Sequence, residues 1–501
     1  MGTRPLRRPP ELRPDRRGSD MPANSFSRIR QTLTSSSVAR ILFMLFAALL
    51  LLSLIFRRPS SAAAPEPKYA ESVSYLSTIS SDSTSPGHLL FGIASSASTW
   101  PSRRDYIRAW WLPGVTRGLV FLDSPLSSPE EDEGIPPIRV SSDTSRFPYS
   151  FRGGRRSAIR VARIAKELFD AFDGNFSYGE VRWIVLGDDD TVFLLDNLVA
   201  TLAKYDWEQW YYIGSMSESV EQNIYHFFGM AFGGGGFAIS YPLARVLSKV
   251  MDSCLMRYGN LYGSDARVFA CLAELGVGLT HEPGFHQIDL RGNILGLLST
   301  HPLAPMVSLH HLDSIDPLFP DLNRKESLSR VLKAVANDPG RILQQSVCYD
   351  RRKLLTISVS WGFTVQVFEG NQVLTDLLAS PLTFRPWKRG RNATSNMYMF
   401  NTRNLPRDQC KRPAIFFLES VSSSKSSIES NYSRNGSGNC LQGNILTKSL
   451  RKITVYSEKY HVQAGKALRR HCCDVLDSSL EQVMNVSIRK CRDIELIAPN
   501  P

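Results

Sequence analysis

Trp183-Ile184-Val185-Leu186-Gly187-Asp188-Asp189-Asp190-Thr191-Val192 is an apolar run that ends in three consecutive carboxylates. Val181, Trp183, Ile184, Val185 and Leu186 are β-branched, aromatic or apolar and a Gly follows, which spells a buried strand. Three adjacent acids at a strand end repel one another, and a divalent cation relieves that repulsion. Oxygen ligands of this kind suit Mg²⁺ or Mn²⁺. In open α/β sheets, ligands also gather at strand C-termini. The stretch reads as a metal–phosphate site rather than as the solvated acidic loop that most charge runs are.

Around this strand, from His88 to about Pro320, strand and helix patterns alternate. Leu89–Ile93, Leu119–Leu122 and Tyr211–Ile213 read as strands, and Tyr106–Leu112 as a helix. Ala158, Ile159, Ala162, Ala165, Leu168, Phe169 and Phe172 recur at helical spacing. Asp196 is expected to cap a helix reaching Tyr205. Such alternation predicts an α/β sheet with parallel strands. Beyond about Asn323 the pattern changes to Ser- and Asn-rich loops between strands such as Leu355–Ser360 and Gly362–Phe368. A separate, mostly β, Cys-containing domain is expected over 340–501, with the α/β domain over 88–330.

The chain has 501 residues and a formal charge of +12. Residues 1–60 hold eleven Arg against three acids, which is +8, so the other 441 residues share +4. The high pI is thus mostly a terminal feature and gives no support for nucleic-acid binding. Ile41–Phe56 is apolar apart from Ser53 and is followed at once by Arg57-Arg58. It reads as an uncleaved signal anchor (41–58) rather than a cleaved leader. The Arg-rich segment 1–40 is then the cytosolic tail, Ser/Ala/Pro-rich 59–87 a stem, and the remainder lumenal. A short span suits thin secretory-pathway membranes, and a type II Golgi protein is expected. All eight Cys lie after residue 250, an even count that suits disulfides in an oxidising lumen. Their pairing is open at this level. Sequons at Asn175, Asn392, Asn431, Asn435 and Asn485 agree with that compartment.

Three further stretches carry chemistry. Phe232-Gly233-Gly234-Gly235-Gly236-Phe237 fits neither a phosphate P-loop nor GxGxxG, but lets backbone approach a ligand closely. Gly263-Ser264-Asp265 puts a carboxylate before a helix read over Val268–Leu275. Asp265 is either that helix's N-cap or a general base. Val307-Ser308-Leu309-His310-His311 offers imidazoles that can join carboxylates on Mn²⁺. Trp210, Tyr211 and Tyr212 are candidates to stack on sugars, with a core role as the alternative.

Gly187-Asp188-Asp189-Asp190-Thr191-Val192 followed by Leu195-Asp196-Asn197-Leu198 resembles the DDD…DNL signature of the Fringe-like, family 31 β1,3-glycosyltransferases. Arg104-Asp105-Tyr106-Ile107-Arg108-Ala109-Trp110 resembles their Arg…Ile-Arg…Trp element, with Ala109 in place of Thr. The GGGG run and Val307-Ser308-Leu309-His310 are similar to two later elements. The similarity covers about 88–315, and the whole chain is most similar to plant Fringe-related proteins grouped by a domain of unknown function. The resemblance implies a GT-A fold, a UDP-sugar donor, a glycan or glycoprotein acceptor, and a metal-dependent inverting transfer. It implies that Asp190 and His310 hold Mn²⁺ or Mg²⁺ and that Asp188, Asp189, Gly234 and Gly235 bind the donor. It also implies that Asp265 is the base, although the family often has Asp-Asp where this chain has Ser264-Asp265.

Two other readings start from the same residues. Asp188-x-Asp190-x-Val192 also fits an aspartyl-phosphate phosphatase, for which Lys249 is the available lysine. A non-catalytic scaffold or lectin-like protein on the same fold is the third.

Overall fold

The computed structural model describes residues 83–127, 132–172, 180–388, 393–424, 427–436, 445–461, 467–478, 480 and 482–498. The expected tail, the anchor at 41–58 and sequons Asn175 and Asn392 lie outside the described residues, as does the stem up to residue 82. Among the described residues, no helix is long and apolar enough to cross a membrane.

In chain order the first sheet and its outliers are β1 (Leu89–Ala94), β2 (Arg117–Leu122), β3 (Ile138–Val140), β4 (Trp183–Asp188), β5 (Val192–Phe193), β6 (Tyr212–Gly214), β7 (Phe237–Ser240), β8 (Leu279–His281), β9 (Leu290–Gly292) and β10 (Ser308–Leu309). The seven-stranded sheet runs β3-β2-β1-β4-β7-β6-β8. The interleaved helices are α1 (Trp100–Arg108), α2 (Ser157–Phe172), α3 (Leu195–Leu202), α4 (Val220–Tyr225), α5 (Tyr241–Arg257) and α6 (Ser264–Glu274). The fold is mixed α/β, as the alternation predicts, but the sheet is not purely parallel. Strand β7 runs antiparallel to both β4 and β6.

Alternation along the central strands divides the core. Leu89, Phe91, Trp183 and Val185 face one apolar layer. Leu90, Ile184 and Leu186 face the other, where the apolar stripe of α2 (Ile159, Ala162, Ile164, Leu168, Phe169) packs. A disulfide between Cys254 and Cys271 ties α5 to α6 on that side.

Some local expectations shift. The helix expected over Tyr106–Leu112 starts earlier, at Trp100, because Pro101 occupies its first turn, where a missing N–H is harmless. Asp196 does not cap α3; it sits within the first turn, where it faces the positive end of the helix dipole.

Helix α7 (Leu295–Ser299) precedes β10, and after Leu309 helix α8 (Arg324–Asn337) leads to the second sheet. Asn323 and Glu326 form a reciprocal capping box on α8, with Glu326 N–H donating to Asn323 Oδ1 at 2.9 Å. Next come β11 (Gln345–Asp350), β12 (Leu355–Ser360), β13 (Thr364–Glu369), β14 (Ser380–Pro381), β15 (Phe384–Pro386), β16 (Thr402–Arg403), β17 (Ala414–Ser423), β18 (Ile428–Arg434), β19 (Lys452–Ser457), β20 (Cys472–Leu476) and β21 (Val483–Arg489). The eight-stranded sheet runs β11-β12-β13-β17-β18-β19-β21-β20. Its first and last strands are joined by Cys348–Cys473, and Cys472–Cys491 braces the last strand again. One apolar cluster runs through both sheets, from Leu89 and Val185 to Val359 and Ile488. The excursion between β13 and β17 leaves the second sheet, and β15 pairs with β9 of the first half.

Candidate active site

The site forms where two short strands cross the end of β4. Strand β5 pairs antiparallel with β10, Leu309 opposite Val192 and Ser308 opposite Phe193. That register sets His310 beside the acids although 120 residues of sequence separate His310 from Asp190. A tight turn closes the triplet, with Thr191 N–H donating to Asp188 O at 3.0 Å. The Thr191 hydroxyl accepts from Asp188 N–H (2.8 Å) and donates to Gly234 O (2.7 Å), stitching the acids to the glycine run.

The turn separates the three acids. Asp188 and Asp190 line one cleft with His310 and Asp265. His310 Nε2 is 3.1 Å from Asp190 Oδ1 and 3.8 Å from Asp188 Oδ2. Asp189 is turned away and buried. It accepts from Ser95 Oγ (2.6 Å), Thr99 Oγ1 (2.8 Å) and Arg103 Nη1 (3.0 Å). Arg103 also reaches within 3.3 Å of Asp190, so Asp189 anchors the guanidinium that faces the site.

The glycines make room. A Cβ on Gly234 would lie 2.1 Å from His310 Cε1 and 2.5 Å from its Nε2, so only Gly leaves space for the imidazole. Gly236 has φ +80°, the left-handed region that Gly tolerates. Gly235 sits behind the cleft wall and its N–H donates to Gln287 Oε1 at 2.7 Å.

These contacts decide what the site can hold. His310 Nδ1 faces the Gln287 carbonyl at 3.2 Å. With that N–H donated, Nε2 of a neutral ring is a bare lone pair aimed at two carboxylates. Only a proton or a cation between them makes that arrangement favourable. Burial works to lower the His310 pKa, but Asp190 first, then Asp188 and Asp289, outweigh it and raise it to about 9. Burial likewise works to raise Asp190, and His310 and Arg103 hold it down at about 2. Desolvation pushes the Asp188 carboxyl up, helped by Asp190 and Asp265 against the pull of His310. Asp190 Oδ1 is buried, and its contacts with His310 Nε2 (3.1 Å) and Arg103 Nη1 (3.3 Å) do not give it a well-formed hydrogen bond. Ligand atoms of Asp188, Asp190 and His310 all lie within 4.8 Å of one another. Two carboxylate oxygens and one imidazole nitrogen suit Mn²⁺ or Mg²⁺, and a buried carboxylate oxygen so poorly satisfied fits that ion.

Asp265 is not the N-cap of α6. Gly263 holds that position, and Asp265 lies in the first turn with its carboxylate accepting from Ser264 Oγ at 2.8 Å. Its side chain packs against Gly233, where a Cβ would come within 2.8 Å of Oδ1. Lys249 is exposed on α5 and does not line the cleft. Neither do Trp210, Tyr211 or Tyr212; Tyr212 is wholly buried and Tyr211 packs on Trp183 and Tyr205.

Of the two imidazoles expected to join the carboxylates, His311 does not: at φ +53° it lies 3.4 Å from Asp289 Oδ1 and stacks on Trp387, ring centroids 4.3 Å apart. Sequence reasoning missed Asp289, Arg291, Trp387 and Arg103. Arg291 covers Trp387 at 4.4 Å from the ring centroid and donates to its carbonyl (2.8 Å). Trp387 arrives on the β15 excursion from the second half, and no local pattern marks it. Arg103 directly precedes the Arg104–Trp110 stretch that carries part of the family resemblance.

Residues 222–473 match the sequence profile of a family described as "Protein of unknown function, DUF604". The match joins Asp265, His310 and Trp387 in one span. The chain is also 32% identical over 148 residues to a mouse (Mus musculus) protein named beta-1,3-glucosyltransferase, covering 29% of this chain and 28% of that protein. The human (Homo sapiens) protein of the same name is 30% identical over 148 residues, covering 29% and 27%. The chain thus spans little more than a quarter of the length of these relatives.

Proposed function

The chain belongs to the DUF604 family, and we propose that it is a metal-dependent inverting glycosyltransferase of the GT-A type. In this reading it moves a sugar from a UDP-sugar onto a glycan or glycoprotein acceptor, with a β1,3 linkage. The observation that carries the proposal is the convergence of Asp188, Asp190 and His310 in one cleft with a separate carboxylate, Asp265. A partial likeness to proteins named beta-1,3-glucosyltransferase supports the reaction class.

Asp190 and His310 would hold Mn²⁺ or Mg²⁺, with Asp188 at the nucleotide side close enough to share the ion. The ion would supply neutralising charge for a diphosphate leaving group. Gly234 offers backbone against the donor. Asp189 and Gly235 serve the donor through Arg103 and Gln287, which they hold. Asp265 takes the proton of the acceptor hydroxyl as its oxygen attacks the anomeric carbon. The bond from that carbon to the diphosphate oxygen breaks on the opposite face, and the electron pair leaves with UDP. Attack from the face opposite the leaving group inverts the anomeric centre. The same reading makes the chain a type II Golgi membrane protein anchored through Ile41–Phe56.

The test is UDP release by the full-length chain across a panel of UDP-sugars, with and without Mn²⁺. Release is expected to need the ion and to fall by about 100-fold or more in Asp190→Ala. Calorimetry detecting neither Mn²⁺ nor UDP uptake by folded protein would overturn the proposal. UDP bound without turnover would favour the scaffold reading instead.

A further inference from the structure

Beside Asp265 the wall of the cleft changes from acid to ring. His226, Phe232 and Tyr262 line it together with Gln222. His226 stacks on Tyr262 with centroids 5.3 Å apart and meets Phe232 edge-on at 5.8 Å. Tyr262 keeps 49% of its surface exposed. Phe151 packs edge-on against it at 5.3 Å, and exposed Phe227 extends the aromatic surface onto Phe269. Tyr262 is three residues before Asp265, so the ring and the carboxylate are carried by one short turn.

A second observation is independent of the rings. Gln222 is 5% exposed and lines the cleft, and its side-chain amide nitrogen is buried with no hydrogen-bond partner. A buried donor left unpaired is unfavourable, and a ligand oxygen would satisfy it.

Charge narrows the ligand. Among the described residues lining the cleft, Arg103 is the one Lys or Arg, and Asp189 and Asp190 hold it. Among the described residues, Lys388 lies over the Tyr225 ring at 4.8 Å and is felt by His226, but it does not line the cleft, so the wall itself carries no cation that would select an anionic group. The wall is ring faces interspersed with Gln222, Ser264 and Asp265. A lipid chain needs continuous aliphatic walls, whereas a sugar ring presents an apolar C–H face and a rim of hydroxyls.

We propose that Gln222, His226 and Tyr262 form the acceptor subsite, and that its occupant is a neutral sugar ring. The ring lies with its C–H face on Tyr262, accepts from the Gln222 amide, and turns one hydroxyl to Asp265. The inference rests on the glycosyl-transfer reading and names its acceptor class. In the step it serves, the acceptor hydroxyl proton passes to the Asp265 carboxylate and the new bond forms between that oxygen and the anomeric carbon. The displaced electron pair leaves on the diphosphate.

The experiment is saturation-transfer NMR on the full-length chain with methyl β-glycosides of glucose, galactose and xylose. UDP with Mg²⁺ is measured separately on the unaltered protein. At least one glycoside is expected to receive saturation at its ring C–H protons. Tyr262→Phe keeps that binding, while Tyr262→Ala and Gln222→Met each weaken it by about ten-fold, with melting curves confirming that both fold. The subsite is overturned if no glycoside binds, or if Tyr262→Ala and Gln222→Met bind as the parent does. It is overturned as well if phospholipid vesicles or unglycosylated peptides, offered in parallel, compete at this wall and the glycosides do not. UDP bound without any glycoside sinks the subsite alone. A glycoside bound without UDP upholds the subsite and sinks the transfer reading.

Discussion

The first sheet and the second are held by different means. The first is closed around the site by close approach: a glycine where an imidazole must sit, a two-residue ladder between β5 and β10, and a threonine that ties the acids to the glycine run. The second is braced covalently, its end strands joined through Cys348–Cys473 and its last strand again through Cys472–Cys491. The contrast teaches where tolerance lies. Geometry at the site depends on tenths of an ångström; the Cys254–Cys271 disulfide steadies α6 behind Asp265, but the described residues show no cross-link to the strands that carry Asp188, Asp190 and His310. The second sheet carries its own restraint and lends the site one excursion, β15 with Trp387.

The largest expected effect breaks the covalent side of that contrast. Replacing both Cys348 and Cys473 by Ser removes a link across 125 residues, and about 2–5 kcal/mol of stability should go with it. Denaturant titration measures the loss. Mn²⁺ affinity of the still-folded protein should stay within about two-fold if the site is independently held, a factor smaller than the tenfold that 1.4 kcal/mol represents. A parallel collapse of metal binding would show that the halves are not separable.

The converse substitution is Gly234→Ala. Its methyl overlaps His310, so Mn²⁺ affinity and UDP release should fall by about 10- to 100-fold, with about 1–3 kcal/mol of stability lost to the overpacking. Retained affinity would mean that His310 has room to move. Trp387→Ala is the sharper probe, because it acts on the first half from the second. Loss of the stack on His311 should weaken metal binding by a few-fold, about 0.5–1.5 kcal/mol, read by calorimetry. No change would confine Trp387 to packing.

The smallest effect is a pH dependence that belongs to the second half. His471 Nδ1 accepts from Arg341 Nη1 at 2.8 Å, which needs the neutral ring. Burial, then Arg341 and Lys490, lower its pKa to about 4. A folded value below the unfolded 6.5 means that stability is fully present above pH 6.5 and is lost as pH falls toward 4. Melting temperature should therefore drop across that window, and less so in His471→Gln. Equal slopes in both proteins would remove His471 as the cause.

Legibility differed by residue. The strand ending in Asp188 was readable because a continuous apolar run and clustered charge are local properties of ten residues. The glycine run was readable as a place of close approach, but not that His310 was the group approaching. Asp188, Asp189 and Asp190 are chemically identical in a string of letters. The turn closed by Thr191 sends Asp189 to Ser95, Thr99 and Arg103 and leaves the other two in the cleft. Asp265 could be read equally as cap or base, and only the position of Gly263 at the start of α6 removed the cap.

By itself, then, the order of residues determined the mixed α/β class, the acid-bearing strand end, the glycine and histidine stretches, and the apolar stripe of α2. These follow from periodicity and side-chain chemistry over short distances. Tertiary structure alone decided the antiparallel direction of β7, the β5–β10 register that brings His310 to Asp190, the turn of Asp189 away from the cleft into the interior, and the arrival of Trp387 from the second half. Each depends on which distant backbones pair, and pairing is set by the burial of the whole chain rather than by any segment of it.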